Sequence, residues 1–280
     1  MELIRILLRS SRFVTGFGII ASVLAFALLG PTLLTDVGPF QRVGGLFDPP
    51  SSDALLGTDN FGRDVFTQLM YGTRTSLFIG LVAGFVATAI GVAIGTLAGY
   101  FSGVIEEALM GLTNVLITIP PIVVLILLSV AVDTRTATTM GVIIGVTAWP
   151  WTARAVRAQT SSLRTREHVD IARISGVGSL EMMLVEILPY MFSYIFMAFI
   201  LQLTGGILAE ATLSMLGLGP FQTVSLGTML HWSLLWESVR VGAWWAFVPA
   251  TIFLSISSFS LILMNAGMDE IFNPTLRHTR

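Results

Sequence analysis

Three histidines, seventeen carboxylates and no cysteine are the raw material this chain offers for covalent chemistry. A nucleophile working inside a membrane needs a base that faces it. His168, His231 and His278 all lie outside the apolar runs, so a membrane-buried Ser–His dyad has no base. Histidines and carboxylates do not cluster at the spacings of a metal site. The lack of cysteine removes disulfides, thiol catalysis and Cys-ligated metals. All fifteen basic residues are arginine. Without a lysine the chain cannot hold a Gly-x-x-x-x-Gly-Lys-Ser/Thr phosphate loop, so it is not a P-loop ATPase. No catalytic residue, metal site or bound cofactor is expected.

The densest polar chemistry is in Leu163–Tyr190, LRTREHVDIARISGVGSLEMMLVEILPY. Arg164, Arg166, Glu167, His168, Asp170 and Arg173 crowd its first half, and Gly176 and Gly178 interrupt it. The pattern predicts two short helices hinged at Gly176-Val177-Gly178, with a left-handed backbone at Gly176. Ser179 is the expected N-cap of the second helix. Arg166, Asp170 and Arg173 are spaced to share one helix face. By composition alone this would be a solvated loop between membrane helices. Elsewhere, Glu210 stands at the outer end of the fifth apolar run, expected as an interfacial carboxylate in reach of water or as a pathway or partner contact. Trp232 and Trp236 are expected at the membrane surface, as anchors or as a partner contact. Asn114 and Gln202 are expected to bond between helices.

The elements that position these residues are apolar. Hydrophobic residues make up 54% of the chain and charged residues 11%, against about 25% charge in a soluble domain. This composition predicts an integral membrane protein, all-α, with little mass outside the bilayer. The net charge of -2 gives no reason to expect nucleic acid. Six spans are predicted: Phe13–Leu34, Ser76–Tyr100, Leu109–Val132, Thr139–Ala155, Tyr190–Leu208 and Gly242–Gly267. The first has a signal-peptide-like start but is long enough to span and is read as a retained helix. The third should bend or restart at Pro120-Pro121. Trp149 and Trp151, near the end of the fourth, are expected to anchor the interface. Gly80/Gly84, Gly91/Gly95 and Gly95/Gly99 are small-xxx-small pairs that let helices approach closely. Thr35–Thr75 and Glu210–Val241 are the longer polar segments on one side, the latter with an amphipathic Leu226–Trp236. The chain divides into residues 1–75 (tail, first helix, loop) and a five-helix core, 76–280, whose loop spans 157–189. With both termini inside, Arg5, Arg9, Arg12, Arg154, Arg157, Arg164, Arg166, Arg173, Arg277 and Arg280 are cytoplasmic. Arg42, Arg63, Arg74, Arg135 and Arg240 are outside, ten against five, as the positive-inside rule prefers.

Asp170-Ile171-Ala172, then Gly176, then Ile187-Leu188-Pro189 resembles the EAA loop of permease subunits of ABC importers. Asp170 stands in place of the family's Glu and Ile171 in place of its first Ala. Leu56-Gly57-Thr58-Asp59, Gly62-Arg63-Asp64-Val65 and Tyr71-Gly72-Thr73-Arg74 are similar to a block of the dipeptide/oligopeptide/nickel group, of its "C" type subunit. Ala98-Gly99-Tyr100-Phe101, Ala209–Ser214 with Leu216-Gly217-Leu218-Gly219, and Trp244-Trp245 fit the same group. The resemblance implies the type I permease fold of six transmembrane helices, with a cytoplasmic coupling helix between helices 4 and 5. Asp170, Ile171, Ala172, Arg173, Gly176, Leu188 and Pro189 would then contact the ATPase. It also implies a second, paralogous permease chain, two ATPase subunits carrying ATP and Mg, and an extracytoplasmic binding protein. Peptide is the expected substrate, with oligosaccharides or nickel chelates as the alternative. An ion-coupled secondary transporter, which needs ionisable residues at the membrane midplane, is the distant rival.

Overall fold

The computed structural model describes residues 10–272, all-helical apart from loops and turns. Arg5, Arg9, Arg277, Arg280 and His278 lie outside the described residues. The helices are α1 (Ser11–Leu33), α2 (Val65–Phe101), α3 (Gly103–Thr118), α4 (Pro121–Ala131), α5 (Ala137–Leu163) and α6 (Glu167–Ile174). Then come α7, a helical run over Ser179–Leu218 with changes of pitch, α8 (Leu226–Leu235) and α9 (Val248–Phe272).

Among the described residues, α1, α2, α7 and the run Trp244–Ile271 are long and apolar enough to cross a membrane. The pair α3 and α4 adds a fifth if it is one broken span. It bends by 87° across Ile119-Pro120, where a proline nitrogen has no hydrogen to donate. α5 falls short because its 27 residues include Arg154, Arg157 and several hydroxyl side chains.

Several boundaries move. α2 begins at Val65 rather than Ser76, because the Asp64 carboxylate accepts hydrogen bonds from the Phe66 and Thr67 amides and caps a helix of 37 residues. The third span starts earlier than Leu109, so that Glu106 and Glu107 belong to α3: the chain breaks only at Ser102 and Gly103, both with positive φ. The helical run of α7 extends the expected fifth span at both ends. Trp149 is buried in the bundle rather than at an interface, whereas Trp151 is exposed.

α2 is the axis of the bundle. Its glycines form two seams. A β-carbon on Gly91 would stand 2.6 Å from the Thr152 Cβ of α5, one on Gly95 2.5 Å from the Ala153 carbonyl oxygen, and one on Gly99 2.6 Å from the Thr160 Cβ. α5 answers with Gly141 and Gly145, which seat against Val82 and Val86 of α2. On the other face, a β-carbon on Gly84 would lie 2.8 Å from the Leu203 nitrogen of α7. Gln202 of α7 then donates to the Ala148 carbonyl (3.0 Å) and to the Thr152 hydroxyl (2.6 Å) of α5, closing a three-helix core. α1 packs on α9, where Gly16 meets the backbone of Ser260 and Met264.

One end of the bundle carries a strap, residues 38–64, and α8. Asp59 organises the strap. It accepts from the amides of Phe61 (2.8 Å) and Arg63 (2.9 Å), from Arg63 Nε (2.9 Å) and from Gln68 Nε2 of α2 (2.8 Å). Trp245 donates its indole hydrogen to the Thr58 carbonyl at 3.1 Å, tying the strap to the start of α9.

The α2–α5 seam predicts a stability difference. Gly95→Ala forces a methyl group into the Ala153 backbone, and overpacking of this kind costs about 1–3 kcal/mol. Gly205→Ala enters open space in α7. Thermal unfolding in detergent, followed by tryptophan fluorescence, should show a lowered midpoint for Gly95→Ala only. Equal midpoints would mean that the seam is not tight.

Candidate functional site

The polar segment lies at the end of the bundle opposite α8. α5 projects to Leu163, and the Arg164 guanidinium donates to the Tyr100 carbonyl at the end of α2 (2.9 Å). α6 then turns back across the bundle end. Val169 is its inward anchor, 0% exposed, in a cluster with Val156, Met182, Ile187 and Met191, against which Ala172 and Val177 also pack. His168 adds a polar pin: its ring lies 4.4 Å from that of Tyr190, and its Nε2 is 3.3 Å from the Glu186 carbonyl.

The opposite face of α6 is open. Ile171 is 58% and Ile174 86% exposed, and between them Asp170 and Arg173 pair at 3.0 Å. Arg166 occupies the N-cap position. Among the described residues it makes no ion pair with Asp170, so the expected three-residue face reduces to one pair. Exposed pairs of this kind are worth about 0.2–0.5 kcal/mol, too little to be what holds α6 in place.

The helix stops as the sequence predicted. Gly176 has φ +80°. Its amide donates to the Arg173 carbonyl (3.1 Å) and the Val177 amide to the Ala172 carbonyl (3.2 Å). These two bonds are the Schellman closure, and the Ala172–Val177 apolar pair that accompanies it is present. Gly178, not Ser179, holds the N-cap position of α7, and no side chain caps that end. Met182–Ile187 is wound as a π-turn and Leu188–Met191 as a 3₁₀ turn. The cause is Pro189, whose ring cannot fit the preceding α-helical turn, so the helix widens and then tightens to pass it.

The expected set therefore separates. Asp170, Ile171 and Arg173 form an exposed face. Ala172 and Gly176 build the stop, and Leu188 and Pro189 lie where α7 changes pitch. The sequence does not single out Val169 or Ile174, and it marks His168 only as one of the polar residues of the segment. Val169 and Ala172 share an i, i+3 spacing, but so do Ile171 and Ile174, so spacing alone does not say which pair faces inward.

At the other end, Glu210 is not the interfacial carboxylate expected. It is 0% exposed and accepts from Ser76 of α2 (2.8 Å) and Ser214 (2.6 Å). The Ser76 hydroxyl in turn accepts from the Leu226 amide at the start of α8 (3.1 Å). The carboxylate thus joins α2, α7 and α8, and in this conformation it offers no surface to a pathway or a partner. Trp232 and Trp236 stand edge-on to Phe61 of the strap, with ring centres 5.1 and 6.1 Å away, and Arg63 stacks 4.1 Å over Phe61. Trp236 is exposed and Trp232 partly so. Asn114 accepts from Arg154 of α5 (2.6 Å), and Glu106 pairs with Arg157, so α3 is held to α5 by polar contacts.

Residues 91–277 match the family of binding-protein-dependent transport system inner membrane components. The chain is 32% identical to the dipeptide transport system permease protein DppC of Bacillus subtilis, over 94% of this chain and 81% of that protein. It is 30% identical to the oligopeptide transport system permease protein OppC of the same organism, over 82% of this chain and 74% of the relative. DppC of Haemophilus influenzae is 30% identical, over 80% and 75%. A family match across most of the chain, including α6 and its stop, places it among the binding-protein-dependent transport system inner membrane components: it is a multi-pass, non-catalytic permease subunit of an ABC importer.

Proposed function

We propose that this permease imports peptides, forming half of the translocation pathway beside a paralogous permease chain. Peptide is supported by the dipeptide and oligopeptide permeases that it resembles over most of its length. ATP and Mg belong to two partner ATPase subunits, and an extracytoplasmic binding protein delivers the substrate.

The α6 end is the cytoplasmic end, and α6 is the coupling helix. The observation that carries this is the exposed Ile171–Ile174 face. α6 is too charged to lie in hydrocarbon, so these two side chains are not lipid-facing. An apolar pair ringed by Asp170 and Arg173 suits a protein groove. The Schellman stop at Gly176 and the anchors Val169 and His168 make α6 a short rigid lever on α5 and α7. Closure of the ATPases would push on this lever. In this reading α5 is the fourth span. At about 40 Å it is long enough, and its polar residues are tolerated because α2 and α7 flank it. With α3 and α4 as one broken span, the total is six and both termini are cytoplasmic. The opposite end, with Phe221, Trp232 and Trp236, receives the binding protein.

Orientation is testable with single cysteines, since the chain has none. Ser51 and Thr223 are exposed at the α8 end and Ser175 at the α6 end. Ser51→Cys and Thr223→Cys should react with an impermeant thiol reagent on intact cells, and Ser175→Cys should not. The reverse pattern would invert the topology and remove α6 from the ATPases.

Coupling is read by ATP hydrolysis in the reconstituted complex. Peptide-loaded binding protein should stimulate the wild type. Gly176 has room for a side chain within the chain itself, so Gly176→Val acts through its left-handed backbone, at a cost of about 1–2 kcal/mol. That is comparable with coupling energies of about 1–3 kcal/mol. Gly176→Val should assemble but lose stimulation, and Gly178→Ala, with φ -70°, should keep it. Full stimulation in Gly176→Val would make the turn a mere linker; a wild type unresponsive to every peptide would exclude the substrate class.

A further inference from the structure

A groove of about 820 Å³ opens between α1 and α2, floored by α7 and α9. It exists because the middle of α1 packs on α7 and α9, through Ile20 and Val23, rather than along α2. At the α6 end, Gly16 lies against Ser260 and Met264 of α9. At the α8 end, Phe26 packs edge-on against Phe66 (5.7 Å), and Thr35 is bonded to Thr67 (3.0 Å). In the interval α1 leaves α2, and Phe17, Leu24 and Leu28 face Phe78 and Leu81 across open space.

Its lining is apolar except at the α8 end, where Tyr71, Arg74 and Thr75 stand. Arg74 is the one charged residue in the lining, which holds no carboxylate. Among the described residues the Arg74 guanidinium has no ion-pair partner. Phe17 to Leu28 is eleven helical steps, about 16 Å. That is half of a hydrocarbon core about 30 Å thick. The groove runs along the middle of α1 (Ser11–Leu33), with an unneutralised cation at its α8 end.

We propose that this groove is a binding site for an anionic phospholipid, its acyl chain lying along Phe17–Leu28 and its headgroup paired with Arg74 and Tyr71. Such a site requires that α1, α2, α7 and α9 are membrane spans. A helix of a partner chain suits the groove less well: it would bury Arg74 against a wall that supplies no counter-charge, and unpaired buried charge is costly. A lipid supplies both the chain and the charge.

Photocrosslinking from within the groove tests this. With p-benzoylphenylalanine in place of Phe78, the complex is reconstituted in vesicles of equal phosphatidylglycerol and phosphatidylethanolamine. Irradiated protein is then analysed by mass. We expect a lipid adduct in which phosphatidylglycerol exceeds phosphatidylethanolamine about fivefold, the factor that one arginine at a membrane surface is worth. Arg74→Gln should bring the ratio to about one, and Arg74→Lys, which keeps the charge, should preserve most of it. Equal adducts in the wild type would leave only the general lipid belt. An adduct to a second polypeptide would make the groove a subunit seam, and no adduct would mean that Phe78 does not face a bound chain. Each of these three outcomes overturns the site.

Discussion

The structure depends on how closely α2 can approach its neighbours. Lipid tails are as apolar as leucine, so no hydrophobic force drives one membrane helix against another. What remains is contact, and contact between backbones requires that nothing stand between them. Gly91, Gly95 and Gly99 remove the side chains on the α5 face of α2, and Gly84 does the same toward α7. Gly141 and Gly145 reciprocate from α5. The Gln202 hydrogen bonds to Ala148 and Thr152 depend on that proximity, since the amide must reach a neighbouring helix backbone.

Polar groups are placed where this seam needs ends. Glu210 locks α2, α7 and α8 at one end, and a fully buried carboxylate is tolerable only because Ser76 and Ser214 satisfy it. At the other end, Arg164 holds the α5 extension to the end of α2. α6 is set upon this rigid base rather than on a flexible loop. On the proposed reading, a displacement of α6 by an ATPase is handed through Val169 and His168 to α5 and α7. Those are the two helices that α2 grips through its glycines.

Much of this was legible in the sequence. The glycine spacing announced the seams, Gly176 announced the left-handed stop, and the apolar runs announced a helical membrane protein. Local signals were weaker guides where two of them competed. Ser179 is a good N-cap by type, but the chain enters α7 one residue earlier, at Gly178. Asp64 is an equally good cap, and its signal was outweighed by the polarity of Val65–Thr75, which is helical because it packs on α8 and the strap. Glu210 was misplaced for a different reason. Its hydroxyl partner Ser76 lies 134 residues away in the chain, and no local pattern reports a hydrogen bond of that range. The central run of α5 reads as a span, yet its full composition is mixed, because a helix flanked by others need not be apolar throughout.

The central claim is that the exposed face of α6, and not its buried face, is what the ATPases grip. Photocrosslinking from single positions of α6 in the assembled complex tests it most directly. A crosslinker in place of Ile174 should join this chain to an ATPase subunit, and one in place of Val169 should form adducts only within the chain. Crosslinks to an ATPase from Val169, or their absence from Ile174, would contradict the account.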